Sequence, residues 1–449
     1  MTESRWCILL CKFSTDNSAT LPKNHYKRLF TGLGAGSLNM TDFFSDMSHG
    51  QLDLTNSEVH GWFSFGIKDK AEYDSFDAKH AMDPSVPGSR DHLIDVGRKT
   101  AADQGIDLNA FAGLVICMNG SMDYFGRLGG MVAVFDSVNS LRPSVIGQEM
   151  GHGYGLDHSR QDGSMADYMD PWDVMSTDNT PFEQPNAEYG SVGPGLNAWN
   201  MRSRGWLDES RVWKSGNSGF NTTVQLRPLH RRDLSGYLAA EFGGYLVEYR
   251  KKERWDAGFN HSDVFIHRFS ANHSYVVAGT NGNFDLVAGD KLESGDPSSL
   301  DLFGSSYSKI EVISIDDKTS TATLQLFYRP AREVPSIYGT VIGGGTGDGG
   351  GWIIVNGHLH RIPPWDPGVD ILRGLVTYRN AADIRDAAAQ QAAQRSALET
   401  ISKQISALRV SLDPFRTPAK AKTLRAPAAG RQRTRRKGKA RTKERRNRD

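Results

Sequence analysis

The chain has 449 residues, 38% of them apolar and 10% aromatic, enough to bury the cores of two globular domains and too much for a chain disordered throughout. Its net charge of +1 hides an asymmetry: residues 416–449 hold 15 Lys or Arg against two acids, leaving 38 basic and 50 acidic side chains on an acidic body. No run reaches the roughly 18 apolar residues of a membrane span. The start, MTESRWCILLCKFST, lacks the form of a secretory signal, so the chain is expected to be cytoplasmic or exported by an unrecognised route. Cys7, Cys11 and Cys117 sit in apolar, strand-like runs and read as small core residues, not as a disulfide framework.

In chain order, WCILLCKF, VHGWFSFG, AGLVICMN and GMVAVFD are short runs rich in β-branched and aromatic residues. Helix-like stretches lie between them around Leu21 to Phe30, Met40 to Met47 and Asp91 to Ala102. This alternation predicts an α/β domain with a mixed sheet over residues 1–208. From Val212 to Tyr328 the pattern turns to evenly spaced short strands such as TTVQLRP, GYLVEYR, DVFIHRF and TATLQLF, the pattern of an all-β sandwich, assigned as a separate domain over 209–330. Residues 331–379 contain a glycine-rich linker, GTVIGGGTGDGGG, and a small hairpin around an Asn-Gly turn. An Ala/Gln-rich helix is expected over 380–412, and a disordered basic tail over 413–449.

The residues that carry chemistry lie in one string. Between Pro143 and Leu156 the chain is helix-compatible, and Gln148 and His152 stand four apart, so both side chains leave one helix face about a turn apart, as two ligands of one metal require. Glu149 lies beside them. Gly155 permits a sharp exit from the helix that brings His158 round as a third ligand. Met175 follows in the Asp- and Pro-rich passage DYMDPWDVMS.

The string QEMGHGYGLDHS matches the metzincin pattern H-E-x-x-H-x-x-G-x-x-H at every fixed position but the first, where glutamine stands for histidine. With YMDPWDVMS it resembles the gametolysin-type metallopeptidases. FFSDMSHGQLDLT, GWFSF, LNAWNMRSRGWL and YLVEYRKKERWDAGF resemble the related immune-inhibitor-A-like peptidases, and the likeness spans roughly residues 1 to 330. The resemblance implies a zinc endopeptidase acting on proteins or peptides. Its metal ligands would be Gln148, His152 and His158, its general base Glu149, acting on a zinc-activated water, and its methionine turn would be Met175. It also implies that the strand in GGMVAVFD is the edge that aligns an extended substrate. An amide oxygen is a poorer zinc donor than imidazole, so a second reading is an inactive metzincin-like binding protein with a weakened metal site.

The basic tail is a candidate for binding nucleic acid or another anionic surface, with a merely solvated tail as the alternative. The sequence assigns no oligomeric state. His358 and His360 form an H-x-H pair on the hairpin, Asp157 adjoins His158, and Tyr168 lies between His158 and Met175 without an assigned role. Asn39, Asn221 and Asn272 open N-x-[ST] sequons.

Overall fold

The computed structural model describes residues 2–136, 140–216, 218–295 and 306–330, and in backbone outline 341–342, 351–355 and 358–362. The expected helix at 380–412 and tail at 413–449 lie outside the described residues.

The first part is mixed α/β. Its strands are β1 (Thr2–Glu3), β2 (Trp6–Lys12), β3 (Leu52–Asp53), β4 (Glu58–Ser64), β5 (Gly113–Met118), β6 (Phe125–Arg127) and β7 (Met131–Phe135). Its helices are α1 (Lys23–Phe30), α2 (Met40–Met47), α3 (Lys70–Met82), α4 (Ser89–Asp103) and α5 (Pro143–Gly153). Five strands form one sheet in the order β4-β2-β5-β7-β6, parallel except for β6, which runs antiparallel to β7.

β2 explains why this sheet reads as an unbroken apolar run. Trp6, Ile8 and Leu10 enter one core with α1, α2 and α5, whereas Cys7, Leu9 and Cys11 enter another with Tyr73 of α3 and Leu93 and Ile94 of α4. A strand covered on both faces has no polar side to alternate with. The three cysteines are buried and unbridged, and burial pushes the Cys7 thiol up to about 12, which makes it inert as a nucleophile.

The second part begins after α6 (Ala198–Ser203), preceded by the short strands β8 (Arg160–Gln161), β9 (Gln184–Asn186) and β10 (Gly190–Val192). It contains β11 (Val212–Lys214), β12 (Phe220–Leu226), β13 (Ala239–Phe242), β14 (Tyr245–Arg250), β15 (Asp263–Ser270), β16 (His273–Val276), β17 (Lys291–Ser294), β18 (Tyr307–Asp316) and β19 (Thr321–Arg329). One sheet has the order β11-β13-β14-β15-β16-β8, the other β12-β19-β18-β17. Val247, Tyr249 and Ile266 of the first sheet share an apolar cluster with Val224, Ile310, Leu324 and Leu326 of the second, so the two pack face to face.

The expected boundary at 208/209 does not divide the molecule. Strand β8, from the first part, pairs in parallel with β16 and completes the six-stranded sheet. Leu246 and Ala239 point away from the sandwich into the same core as Trp6, Phe44 and Met150. Residues Met1–Val334 accordingly form one compact unit, and the remainder forms another. In that second unit Val341–Ile342, Gly351–Val355 and His358–Ile362 form an antiparallel sheet, with His358 and His360 at alternate positions of its last strand. Among the described residues, no helix is long and apolar enough to cross a membrane.

Candidate functional site

Helix α5 starts at Pro143, whose fixed φ and missing N–H suit a first helical position. It ends where Gly155 adopts φ +91°. There the Gly155 N–H donates to His152 O at 2.9 Å and the Leu156 N–H to Gly151 O at 3.0 Å, the paired bonds of a Schellman turn. The turn carries the Leu156 carbonyl back to His152, whose Nδ1 lies 2.8 Å from it. A carbonyl only accepts, so Nδ1 holds the ring proton and Nε2 presents a lone pair. Burial is the main force depressing the His152 pKa, to about 4, and the adjacent His158 adds to it; the ring is neutral at pH 7.

The same turn brings His158 back across the end of the helix. Its Nδ1 lies 3.2 Å from Asp167 Oδ2, its carbonyl accepts from His273 Nδ1 at 2.8 Å, and its ring stacks obliquely on Tyr168 at 4.0 Å between centroids. Asp167 also accepts from Arg160 Nε at 2.7 Å. Burial alone would raise the Asp167 pKa, but Arg160 and His158 outweigh it and hold the carboxyl below its usual range. Facing an ionised carboxylate, Nδ1 of His158 carries a proton. The two Nε2 atoms meet at 3.0 Å. Both rings line one cleft, where a single cation would take both nitrogens as ligands. These two histidines therefore fit a bound metal ion.

Gln148, expected as the first ligand, is turned elsewhere. Its Oε1 accepts the Thr177 N–H at 2.9 Å, and its Nε2 donates to Glu149 Oε1 at 3.2 Å. Reversing the amide would set N–H against N–H at Thr177 and oxygen against oxygen at Glu149, so the backbone dictates this orientation. The side chain is 2% exposed and links the helix to the turn that carries Met175. The structure thus brings His152, His158 and Glu149 together in one cleft but directs the Gln148 oxygen to a backbone donor.

Met175 lies beneath the helix. A Cβ added at Gly151 would come within 2.7 Å of Met175 Sδ, and one at Gly147 within 3.2 Å of the Phe43 ring, so the two glycines leave the space that Met175 and Phe43 fill. Asp173 fixes the turn. Its Oδ1 accepts from Met175 N at 2.7 Å, Ser159 Oγ at 3.1 Å and Asn200 Nδ2 at 3.1 Å, and its Oδ2 from Asn197 N at 2.5 Å. Ser159 directly follows His158, so this buried carboxylate ties the turn that carries Met175 to the chain bearing the second histidine. Burial, then the neighbouring Asp170, pushes the Asp173 pKa up.

The cleft is about 530 Å³ and is lined by Gln148, Glu149, His152, His158, Tyr168 and Arg90. Arg90 bonds Asp123 at 2.5 Å and stands over Phe125. The strand in GGMVAVFD, expected as the exposed edge, is β7, and it is paired on both sides; the edge beside the cleft is β6. A Cβ at Gly126 of β6 would lie 2.0 Å from Glu149 O, so the glycine allows this strand to lie directly on α5. Asp157 accepts from Asn272 Nδ2 at 2.6 Å. Asn39 is fully buried as the N-cap of α2, where its sequon is inaccessible, and Asn221 and Asn272 are exposed.

Thr177, Asp167, Asp173 and Asn200 were not singled out from sequence. Asp173 and Met175 share the DPWDVMS passage, but Thr177 and Asp167 act through folding partners that no local spacing announces. Among the described residues, a group of three His, Cys, Asp or Glu donors within 4.8 Å of one another occurs away from this cleft, at His261, Asp263 and Asp285.

No family model matches the chain, and no curated protein matches it. Among solved structures, the crystal structure of wild type OgpA from Akkermansia muciniphila is similar at 11% identity, over 72% of this chain and 91% of that one, with a TM-score of 0.27. A likeness at that level carries no argument about fold or function.

Proposed function

We propose that the chain is a zinc-dependent endopeptidase of the metzincin type, working through Glu149 and the His152–His158 pair. The observation that carries this reading is the pair itself: two Nε2 atoms 3.0 Å apart, each ring held from behind at Nδ1 by an acceptor, one turn from a buried carboxylate. His152 and His158 would hold the ion. When bound, zinc would supply Lewis acidity toward a scissile carbonyl and toward water.

The remaining work falls to the chain. Glu149 takes a proton from the attacking water and delivers it to the leaving amine. Gln148 orients that carboxylate by donating to its Oε1. The edge strand β6 offers backbone groups along the cleft for an extended peptide. Asp167 and the Leu156 carbonyl hold both rings in the tautomer that turns Nε2 toward the cleft.

The orientation of Gln148 favours a second reading, a binding protein of the same architecture with a weakened metal site, because the expected third donor faces Thr177. Equilibrium dialysis against zinc at neutral pH, on wild type and His152→Ala, separates the two. The peptidase reading expects wild type to hold zinc in the cleft and His152→Ala to lose that equivalent; identical zinc content in the two would sink it.

A further inference from the structure

We propose a second divalent-cation site in the β-rich part, formed by His261, Asp263 and Asp285 and suited to a zinc-like transition ion. It does not depend on the peptidase reading. One donor atom from each of the three residues lies within 4.8 Å of the others, close enough to share a single ion. Asp263 opens β15 and is 1% exposed, whereas His261, two residues earlier, is exposed at the mouth of the site. Asp285 is held beside them by the backbone: Val264 N donates to Leu286 O at 2.9 Å and Leu286 N to Val264 O at 3.0 Å, so a two-bond bridge fixes the residue before Leu286 against the start of β15.

The charges around Asp263 are unbalanced. Among the described residues its ion pair is with His261, a close contact between Nδ1 and Oδ1. Arg250 stands opposite Asp263 in the β14–β15 register, but its guanidinium bonds Asp256 at 2.5 and 2.7 Å and Glu248 at 3.2 Å. Asp285 and Asp317 act on Asp263 as like charges. A buried carboxylate faced by other carboxylates and a single imidazole lacks positive charge. A divalent ion would supply it, and neutral His261 would then act as a ligand in place of a countercharge.

One imidazole nitrogen with two carboxylates suits zinc or a similar borderline ion, whereas calcium and magnesium favour all-oxygen sets. The bound ion would fasten the loop that carries Asp285 to β15, a strand inside the six-stranded sheet.

The test uses the full-length chain, stripped with chelator and dialysed against zinc at pH 7.5, as wild type, His261→Ala and Asp285→Asn. Each variant is expected to hold one zinc equivalent fewer than wild type, or to bind it at least about tenfold more weakly, and to lose part of the zinc-dependent rise in Tm. His158→Ala should lose a different equivalent and retain this one, which keeps the two sites distinguishable. Should Asp285→Asn fail to fold, the exposed His261→Ala decides the matter. Equal zinc content and affinity in wild type and both variants would overturn the proposal, as would retention of calcium but not zinc.

Discussion

The Gln148 amide meets two partners with opposite needs, a backbone N–H that wants an acceptor and a carboxylate that wants a donor, and one orientation satisfies both. Gln148→Ala should leave the buried Thr177 N–H without an acceptor and lower stability by about 1–3 kcal/mol, read from the urea midpoint. Zinc affinity should change by no more than about threefold, where loss of a true ligand would cost tenfold or more; a larger loss would make Gln148 a ligand after all. Gly151→Ala is expected to be destabilising by about 1–3 kcal/mol, because its methyl group would displace Met175 from beneath the helix; thermal melts of that variant beside Gly216→Ala, whose added carbon comes no closer than 4.0 Å to Ser218 Oγ, check whether crowding is the cause. The motif was legible because four-residue spacing and a helix-ending glycine leave a local trace. The orientation of Gln148 was not, since Thr177 reaches it from 29 residues downstream.

Helices with a continuous buried stripe were easy to find in sequence: the stretch expected at Met40 to Met47 matches α2, and that at Asp91 to Ala102 falls within α4. Helix α3 was missed because it buries only Tyr73 and shows no apolar period. Strands β14 and β15 read as ordinary half-polar strands, yet their charged residues are interior. Glu248, Arg250 and His267 face the first part of the chain, where Ala198 N donates to Glu248 at 2.6 Å and His267 Nε2 lies 3.0 Å from Asp170. Burial pulls the His267 pKa down, but Glu248 and Asp170 more than offset it, so the ring stays charged to higher pH than a free histidine. Alternation along a strand distinguishes two faces but not a solvent face from a second, polar interior. Asp256→Ala removes the bidentate partner of Arg250 and should cost about 3–5 kcal/mol, measured by chemical denaturation; a loss below about 1 kcal/mol would mean that Arg250 is not dependent on it.

At the scale of the molecule, the apolar cluster shared by Trp6, Met150 and Leu246 makes residues on both sides of 208 one folding unit, although the change from mixed to all-β patterning in the sequence suggested two. His49 is one of the joints. Its Nε2 donates to Leu229 O at 2.9 Å, its Nδ1 accepts from Asp208 N at 3.3 Å, and Arg232 donates to its carbonyl. This arrangement needs a neutral ring, and burial chiefly lowers the pKa to about 4 from 6.5. Between those values the unfolded chain binds a proton that the folded chain refuses, so stability falls as pH drops through that window. The loss from pH 7 to pH 5 should be about 2 kcal/mol, and His49→Asn, tolerant of the positive φ there, should show a correspondingly flatter dependence. Equal slopes for the two chains would remove His49 as the cause. The catalytic reading is tested most directly by digesting a peptide library with zinc-loaded wild type and Glu149→Gln. Cleavage by wild type that falls at least about a hundredfold in Glu149→Gln, with zinc content unchanged, is the expected result; cleavage at equal rates, or none by the zinc-loaded wild type, would contradict it.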